Sequence, residues 1–262
     1  MLKEKTLFGI VDKVQIAIQR LREFEPEEGY YLAFSGGKDS ITIKRLADMS
    51  GVKYDAHYSV TTIDPPELVY FIREEYPDVI WERPEKHLLT ALLHHGFPSR
   101  QSRWCCNYYK ENGGKNRRII TGVRSEESIT RRHRPIFHHC YNGGYKNKNK
   151  TILNVIIDWT EKDVWDFIKQ QKLKYCCLYD EGYTRIGCIM CPLSTAKNRK
   201  RDAERYPQYV RAYIKAFKRL YDKRKKEGKK AIDRWKDGEE MFWWWLRENR
   251  ESEDTKQVML FE

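Results

Sequence analysis

The chain has 262 residues, 50 Lys+Arg against 38 Asp+Glu for a formal charge of +12, and 40% hydrophobic and 13% aromatic residues, enough for one large α/β domain plus an appendage or at most two small domains. No run of about 18 apolar residues occurs, which excludes a membrane-spanning helix. The start Met1-Leu2-Lys3-Glu4-Lys5 lacks the apolar stretch of a secretory signal, so the expected compartment is the cytoplasm. Seven cysteines, an odd number, then point to metal ligation or thiol chemistry rather than structural disulfides.

In chain order, residues 8–24 place apolar side chains at helical spacing and end before Pro26. Tyr30–Phe34 is short, apolar and aromatic between glycines and reads as a buried strand. A glycine turn and a helix-like stretch from Ile41 to Met49 follow. Strand, glycine turn and helix make half of a parallel βα unit. The pattern repeats with a strand at Tyr54–Val60, a helix entered through Pro65-Pro66 and ending near Glu75, and a strand at Asp78–Trp81. Glu85–His95 reads as helix, Arg118–Thr121 and Thr151–Ile157 as strands, and Glu161–Gln171 as an amphipathic helix. Residues 142–150 read as a mobile basic loop. A basic helix over Ala203–Lys226 and an aromatic helix over Gly238–Arg250 close the chain.

The expected fold class is α/β, a doubly wound parallel sheet with a C-terminal basic and aromatic helical appendage. The expected domains are a nucleotide-binding α/β domain over 1–195 and a helical extension over 196–262. In that extension Tyr206, Tyr209, Tyr213 and Phe217 recur at helical spacing and read as a core stripe with basic residues around it. Trp243-Trp244-Trp245 read as packing onto the sheet domain; three consecutive positions cannot share one helix face, so at least one is expected exposed.

Charge is unevenly spread. Residues 100–150 hold 13 basic and 3 acidic residues, and residues 197–236 hold 17 and 5. Such asymmetry fits a polyanionic partner, DNA or RNA, because each phosphate neutralised releases counterions. An ordinary solvated helix face is the alternative left open.

Ser35-Gly36-Gly37-Lys38-Asp39-Ser40 has the make-up of a phosphate loop. Two glycines allow a sharp turn that exposes successive N–H groups, the helix after them adds its positive end, and Lys38 supplies a point charge. Leu32 rather than glycine lies five residues before Gly37, so this is not the loop of the common NTPases.

The S-G-G-K-D-S loop after an apolar strand resembles that of the PAPS reductase family, within the adenine-nucleotide α-hydrolase or N-type ATP pyrophosphatase group. Further motifs follow in order: Cys105-Cys106, Thr121–Ser128 with Arg131, Asp158–Trp165, Leu178–Tyr183 and Gly187–Pro192. Together they cover roughly residues 28–195. The resemblance implies that Ser35, Gly36, Gly37, Lys38, Asp39 and Ser40 bind the pyrophosphate end of an adenine nucleotide, ATP or else APS or PAPS. Arg124 and Arg131 would then face its phosphates or a second substrate.

In family members with a [4Fe-4S] cluster, a tandem cysteine pair and a C-x-x-C supply the four ligands. The resemblance therefore implies Cys105, Cys106, Cys188 and Cys191 as ligands; adjacent thiolates reach different irons of one cubane. Four thiols also suit structural Zn²⁺, which stays open. Cys176-Cys177, a second tandem pair, reads as buried apolar residues. His138-His139-Cys140 reads as loop.

Sulfonucleotide reductases of the family use a nucleophilic cysteine in a C-terminal tail. No cysteine follows Cys191 in this sequence, which points to the branch that cleaves ATP between its α and β phosphates. The expected function is thus an ATP pyrophosphatase that adenylates an acceptor, nucleic acid in this reading, for sulfur transfer. Loop amides, Lys38, Arg124, Arg131 and Mg²⁺ would offset transition-state charge, and the Mg²⁺ would be held by Asp39 and Asp64, although either carboxylate also suits a cap or a turn. Two alternatives stay open: an APS or PAPS reductase producing sulfite, and a non-catalytic metal-containing nucleic-acid-binding protein. A sulfur-donor protein and a homo-oligomer are further partners left open.

Overall fold

The computed structural model describes residues 2–6, 9–139 and 149–248. In chain order its elements are β1 (Lys3–Thr6), β2 (Gly9–Asp12), α1 (Lys13–Glu23), β3 (Tyr30–Phe34), α2 (Lys38–Ser50), β4 (Tyr54–Ser59), α3 (Pro66–Glu75), β5 (Ile80–Glu82), α4 (Leu88–His95) and α5 (Trp104–Tyr109). There follow β6 (Arg118–Thr121), α6 (Ile129–Arg132), β7 (Phe137–His139), β8 (Thr151–Asn154), α7 (Glu161–Gln170), α8 (Ala196–Arg205), α9 (Pro207–Lys226) and α10 (Gly238–Glu248). No helix among the described residues is long and apolar enough to cross a membrane.

The chain forms two compact units. The sheet unit comprises Met1–Val60, Pro66–Arg83 and Asn112–Ile186. Its six strands run β5-β4-β3-β6-β8-β7, parallel throughout except that β7 is antiparallel to β8. From β3 the chain winds outward through β4 to β5, then returns to the other side of β3 for β6 and β8. The strand order therefore reverses between β3 and β6, the switch point at which open α/β sheets leave a crevice beyond their carboxyl ends. β3 is buried nearly throughout, as a strand covered on both faces must be.

The helix read over 8–24 starts only at Lys13. Asp12 accepts the Val14 and Gln15 amides and caps it, and the residues before pair as the β1–β2 hairpin. Strand β8 stops at Asn154, short of Ile157. His138 and His139, read as loop, lie on β7, an edge strand paired with β8; Cys140, Tyr141 and residues 142–148 of the basic loop lie outside the described residues.

The helical unit comprises Thr61–Pro65, Pro84–Glu111 and Gly187–Glu262. Compactness therefore does not divide the chain at residue 195. The C-terminal helices are grouped with α4 and α5 because Leu88, Leu92 and Tyr109 share one apolar core with Phe217, Phe242 and Trp245. The basic helix read as one piece is two, α8 and α9, since Pro207 lacks the N–H that would continue α8 and instead opens α9. Tyr206, Tyr213 and Phe217 are buried in this core as the periodicity implies. Trp245 is buried and Trp243 and Trp244 are half-buried against the same core, so none of the three is exposed.

Candidate functional site

The glycine loop leaves the carboxyl end of β3, beside the switch point. Gly36 adopts φ +70°, and a Cβ there would meet Ile72 and Leu68 at 2.7–2.8 Å, so both the conformation and the close approach require glycine. The turn is tied internally, Ser35 Oγ donating to Ser40 Oγ (3.2 Å) and Ser40 Oγ to the Gly37 carbonyl (2.9 Å). It opens α2, whose first-turn amides have no intrahelical acceptor and make an anion-receptive end.

Tyr179 reaches this end: its hydroxyl accepts the Lys38 amide at 2.9 Å, and the Lys38 ammonium lies 5.4 Å from its ring centre. Lys38, 4% exposed, donates from Nζ to the Thr184 carbonyl (2.6 Å) and pairs with Glu161 at 3.3 Å. Neither Tyr179, Thr184 nor Glu161 was singled out from sequence, although all three fall in or beside the ordered motifs.

The loop after β6 completes the site. Gly122 packs on Asp39, with a Cβ meeting its backbone at 3.0 Å. Two residues on, the buried Arg124 donates from Nε to Asp39 Oδ1 (2.7 Å) and from Nη1 to Glu126 Oε2 (2.9 Å). Glu127 accepts the Arg124 amide at 3.0 Å and pairs with Arg131. Burial raises Asp39 above the usual carboxylate range against the pull of Arg124 and Lys38. Burial opposes charge on Arg124, but Asp39 and the two glutamates keep it protonated. The structure thus brings Ser35 through Ser40 and Arg124 together, and joins Arg131 to them through Glu127.

Asp64, read as a companion of Asp39, belongs to the helical unit. There its Oδ2 accepts the Thr61 amide at 2.8 Å, the turn role that its residue type also allows.

The helical unit also holds Cys105 and Cys106, on α5, and Cys188 and Cys191, in the turn before α8. All four are half-buried free thiols. A hydrogen bond between the neighbours, with burial, holds Cys105 protonated; the same bond, aided by Arg103, draws Cys106 down to about 6. Burial pushes Cys188 up to about 11 against the attraction of Lys110, and its Sγ donates to Thr61 Oγ1 at 3.5 Å. Cys188, then Asp64 and Cys191, keep the Lys110 ammonium protonated above the ordinary range despite desolvation. Four soft donors and attendant cations therefore share one unit, the donor chemistry of a thiolate-bound metal. Among the described residues, though, no three or more His, Cys, Asp or Glu side chains are arranged around a point that would hold a metal ion. Of the second tandem pair Cys176 is buried as expected, but Cys177 is exposed.

Fold and loop define a doubly wound α/β protein with an anion-receptive glycine turn at its switch point. The family model for the phosphoadenosine phosphosulfate reductase domain matches residues 29–194, and the chain belongs to that family of sulfonucleotide-reductase-like enzymes. It is 30% identical over 218 residues to an uncharacterized protein of Methanocaldococcus jannaschii, covering 78% of this chain and 51% of that one. It is 31% identical over 136 residues to an adenosine 5'-phosphosulfate reductase of Bacillus cereus (48% of this chain, 56% of that one). An adenosine 5'-phosphosulfate reductase of Allochromatium vinosum is 30% identical over 121 residues, 44% of either chain. The chain spans about half the length of these curated relatives. The phosphate complex of phosphoadenylyl-sulfate (PAPS) reductase from Candida auris is similar at a TM-score of 0.49 and 17% identity, covering 66% of this chain and 87% of that one.

Proposed function

We propose that the chain is an adenine-nucleotide enzyme whose loop 35–40 holds the anionic tail of ATP, and that it activates an acceptor by adenylation for sulfur transfer. The supporting observation is the positive-φ turn at Gly36, which opens α2 at the switch point beside the buried cations Lys38 and Arg124. In this reading an acceptor oxygen forms a bond to the α-phosphorus while the α–β bridging P–O bond breaks, and pyrophosphate leaves toward the loop amides. Lys38 and Arg124 offset the charge that accumulates. Mg²⁺ accompanies ATP, with Asp39 as the loop's carboxylate.

Nucleic acid is the proposed acceptor. Arg211, Lys215, Lys218, Arg219, Lys225 and Lys226 are exposed along α9, a row of charge suited to successive phosphates. A [4Fe-4S] cluster, or Zn²⁺ in its place, would be held by Cys105, Cys106, Cys188 and Cys191, and when bound it would supply an electron-transfer or anchoring centre. Purified protein with ATP, Mg²⁺ and DNA or RNA is expected to release pyrophosphate; absence of release with every acceptor sinks this reading.

The adenosine 5'-phosphosulfate reductases among the relatives, 27–31% identical, favour a second reading, reduction of APS or PAPS to sulfite. Sulfite formed from APS or PAPS with a thiol donor, without pyrophosphate release from ATP, would select it.

A further inference from the structure

The sheet unit carries a strongly basic segment that the reading of the glycine loop does not use. Residues 128–139 hold three arginines, three histidines and no carboxylate, so the segment has no internal partner for its charge. Arg131 is paired with Glu127, but Arg132, His133 and Arg134 are exposed, and neither of these two arginines forms an ion pair among the described residues. Ile129, 75% exposed, stands in the same stretch. The positive field reaches its neighbours: burial, and after it the charge of Arg134, lowers His138 of β7 below the ordinary histidine value.

Although exposed, the segment is fastened at both ends. At its start the Ser128 hydroxyl accepts the Arg131 amide at 3.3 Å and the Ser128 carbonyl accepts the Arg132 amide at 3.2 Å, which closes α6. At its end the fully buried Asn154 receives it. Asn154 donates from Nδ2 to the Pro135 carbonyl (2.8 Å) and from its amide to the Ile136 carbonyl (2.7 Å), while its Oδ1 accepts the Thr121 hydroxyl of β6 (2.7 Å). Glu127 joins the segment to the glycine-loop site: it accepts the Arg124 amide at 3.0 Å while pairing with Arg131, and Arg124 holds Asp39 at 2.7 Å. Cations on a backbone fixed in this way lose less freedom when they bind.

The chemistry of the segment selects a partner. Guanidinium forks match the oxygens of a phosphate in pairs, which a lysine surface does not. Two residues of chain span at most about 7 Å, the rise of two successive phosphates on one strand at about 3.4 Å each. An acceptor that attacks the α-phosphorus has to be held close to it, and this surface belongs to the unit that carries the loop.

We infer that Arg132 and Arg134 dock the phosphodiester backbone of the acceptor strand beside the glycine loop. The inference rests on the adenylation reading above, and adds to it the place where the nucleic acid lies on the sheet unit. Arg132 and Arg134 touch the acceptor in this scheme, whereas Lys38 and Arg124 serve the nucleotide.

The test follows binding of single-stranded DNA and RNA oligonucleotides of one sequence by fluorescence anisotropy across a salt series, beside pyrophosphate release from ATP and Mg²⁺. Arg132→Gln with Arg134→Gln is expected to weaken strand binding about tenfold at low salt and to lower the slope of log affinity against log salt by roughly 1.4, two contacts at about 0.7 each. Arg132→Lys with Arg134→Lys keeps both charges and is expected to keep the slope. Loss of slope in the lysine variant would mean a structural role and overturns the inference. An equal fall in Lys169→Gln with Lys172→Gln, which removes two exposed charges from the same unit, overturns it as well. An unchanged slope in the glutamine variant, with pyrophosphate still released by the wild type, overturns the inference and leaves the adenylation reading standing. Loss of binding to polyglutamate with strand binding intact overturns it in favour of an acidic protein partner. No pyrophosphate release with any strand removes the adenylation reading and this inference with it.

Discussion

At the glycine loop the three cations are already matched by carboxylates: Lys38 by Glu161, Arg124 by Asp39 and Glu126, and Arg131 by Glu127. Around the thiols the pattern is inverted. Lys110 and Arg103 face cysteine sulfur. The first site is electrostatically complete in itself, so in the proposed reading a phosphate would compete with carboxylates for its cations. The second carries cationic groups whose counterpart is sulfur.

The largest expected effect comes from unbalancing the complete site. Asp39→Asn leaves Arg124 buried with only the more distant support of Glu127 beside its Glu126 pair, and should lower unfolding stability by about 3 kcal/mol in urea titrations, the low end for loss of one buried partner. A loss under about 1 kcal/mol would mean that Asp39 and Arg124 are not a matched pair.

Next comes Lys38→Ala, which should weaken adenine-nucleotide binding at least tenfold in calorimetry, as removal of a charged donor to phosphate does. Unchanged affinity would take the loop out of the functional argument. A smaller change of opposite sign sharpens the idea of competition. Glu161→Gln frees Lys38 from its carboxylate and should tighten nucleotide binding by up to about fivefold, the worth of a half-exposed ion pair.

Matched pairing in the sheet unit also predicts a pH dependence. Burial raises Asp163, but Lys13 and the Thr160 amide outweigh it and hold Asp163 well below the usual carboxylate range. Its contribution is therefore complete above the unfolded value of about 4 and is lost as pH falls toward the folded one. The urea midpoint of wild type should decline below about pH 4, and that of Asp163→Asn should decline less steeply. The smallest effect concerns α9: Lys215→Gln with Arg219→Gln should reduce the slope of log affinity for duplex DNA against log salt by about 2. An unaltered slope would exclude that face from phosphate contact.

Much of the sheet unit was legible because its signals are local. Alternation of apolar strands with helical periods, and glycines where a strand feeds a helix, act over a few residues and placed β3, the loop and β6 to the residue; α2, read from Ile41, starts three residues earlier at Lys38, inside the loop motif. Antiparallel β7 was missed because three residues with two histidines carry no period of their own; pairing with β8 makes them a strand. Helix α5 was missed for a related reason, since six residues containing two cysteines and two tyrosines give no amphipathic pattern.

Residue types and their spacing alone determined the βα order, the place of the glycine turn at residues 35–40 and the cysteine pairs. Tertiary structure decided which groups meet: Tyr179 at the Lys38 amide, Arg124 at Asp39, Asp64 and Lys110 with the thiols, and Arg199 at the Trp245 carbonyl. The division has a physical cause. Backbone propensity and turn chemistry depend on near neighbours in sequence, whereas burial and charge pairing depend on contacts between residues as far apart as Lys38 and Tyr179, which only the packed chain brings together.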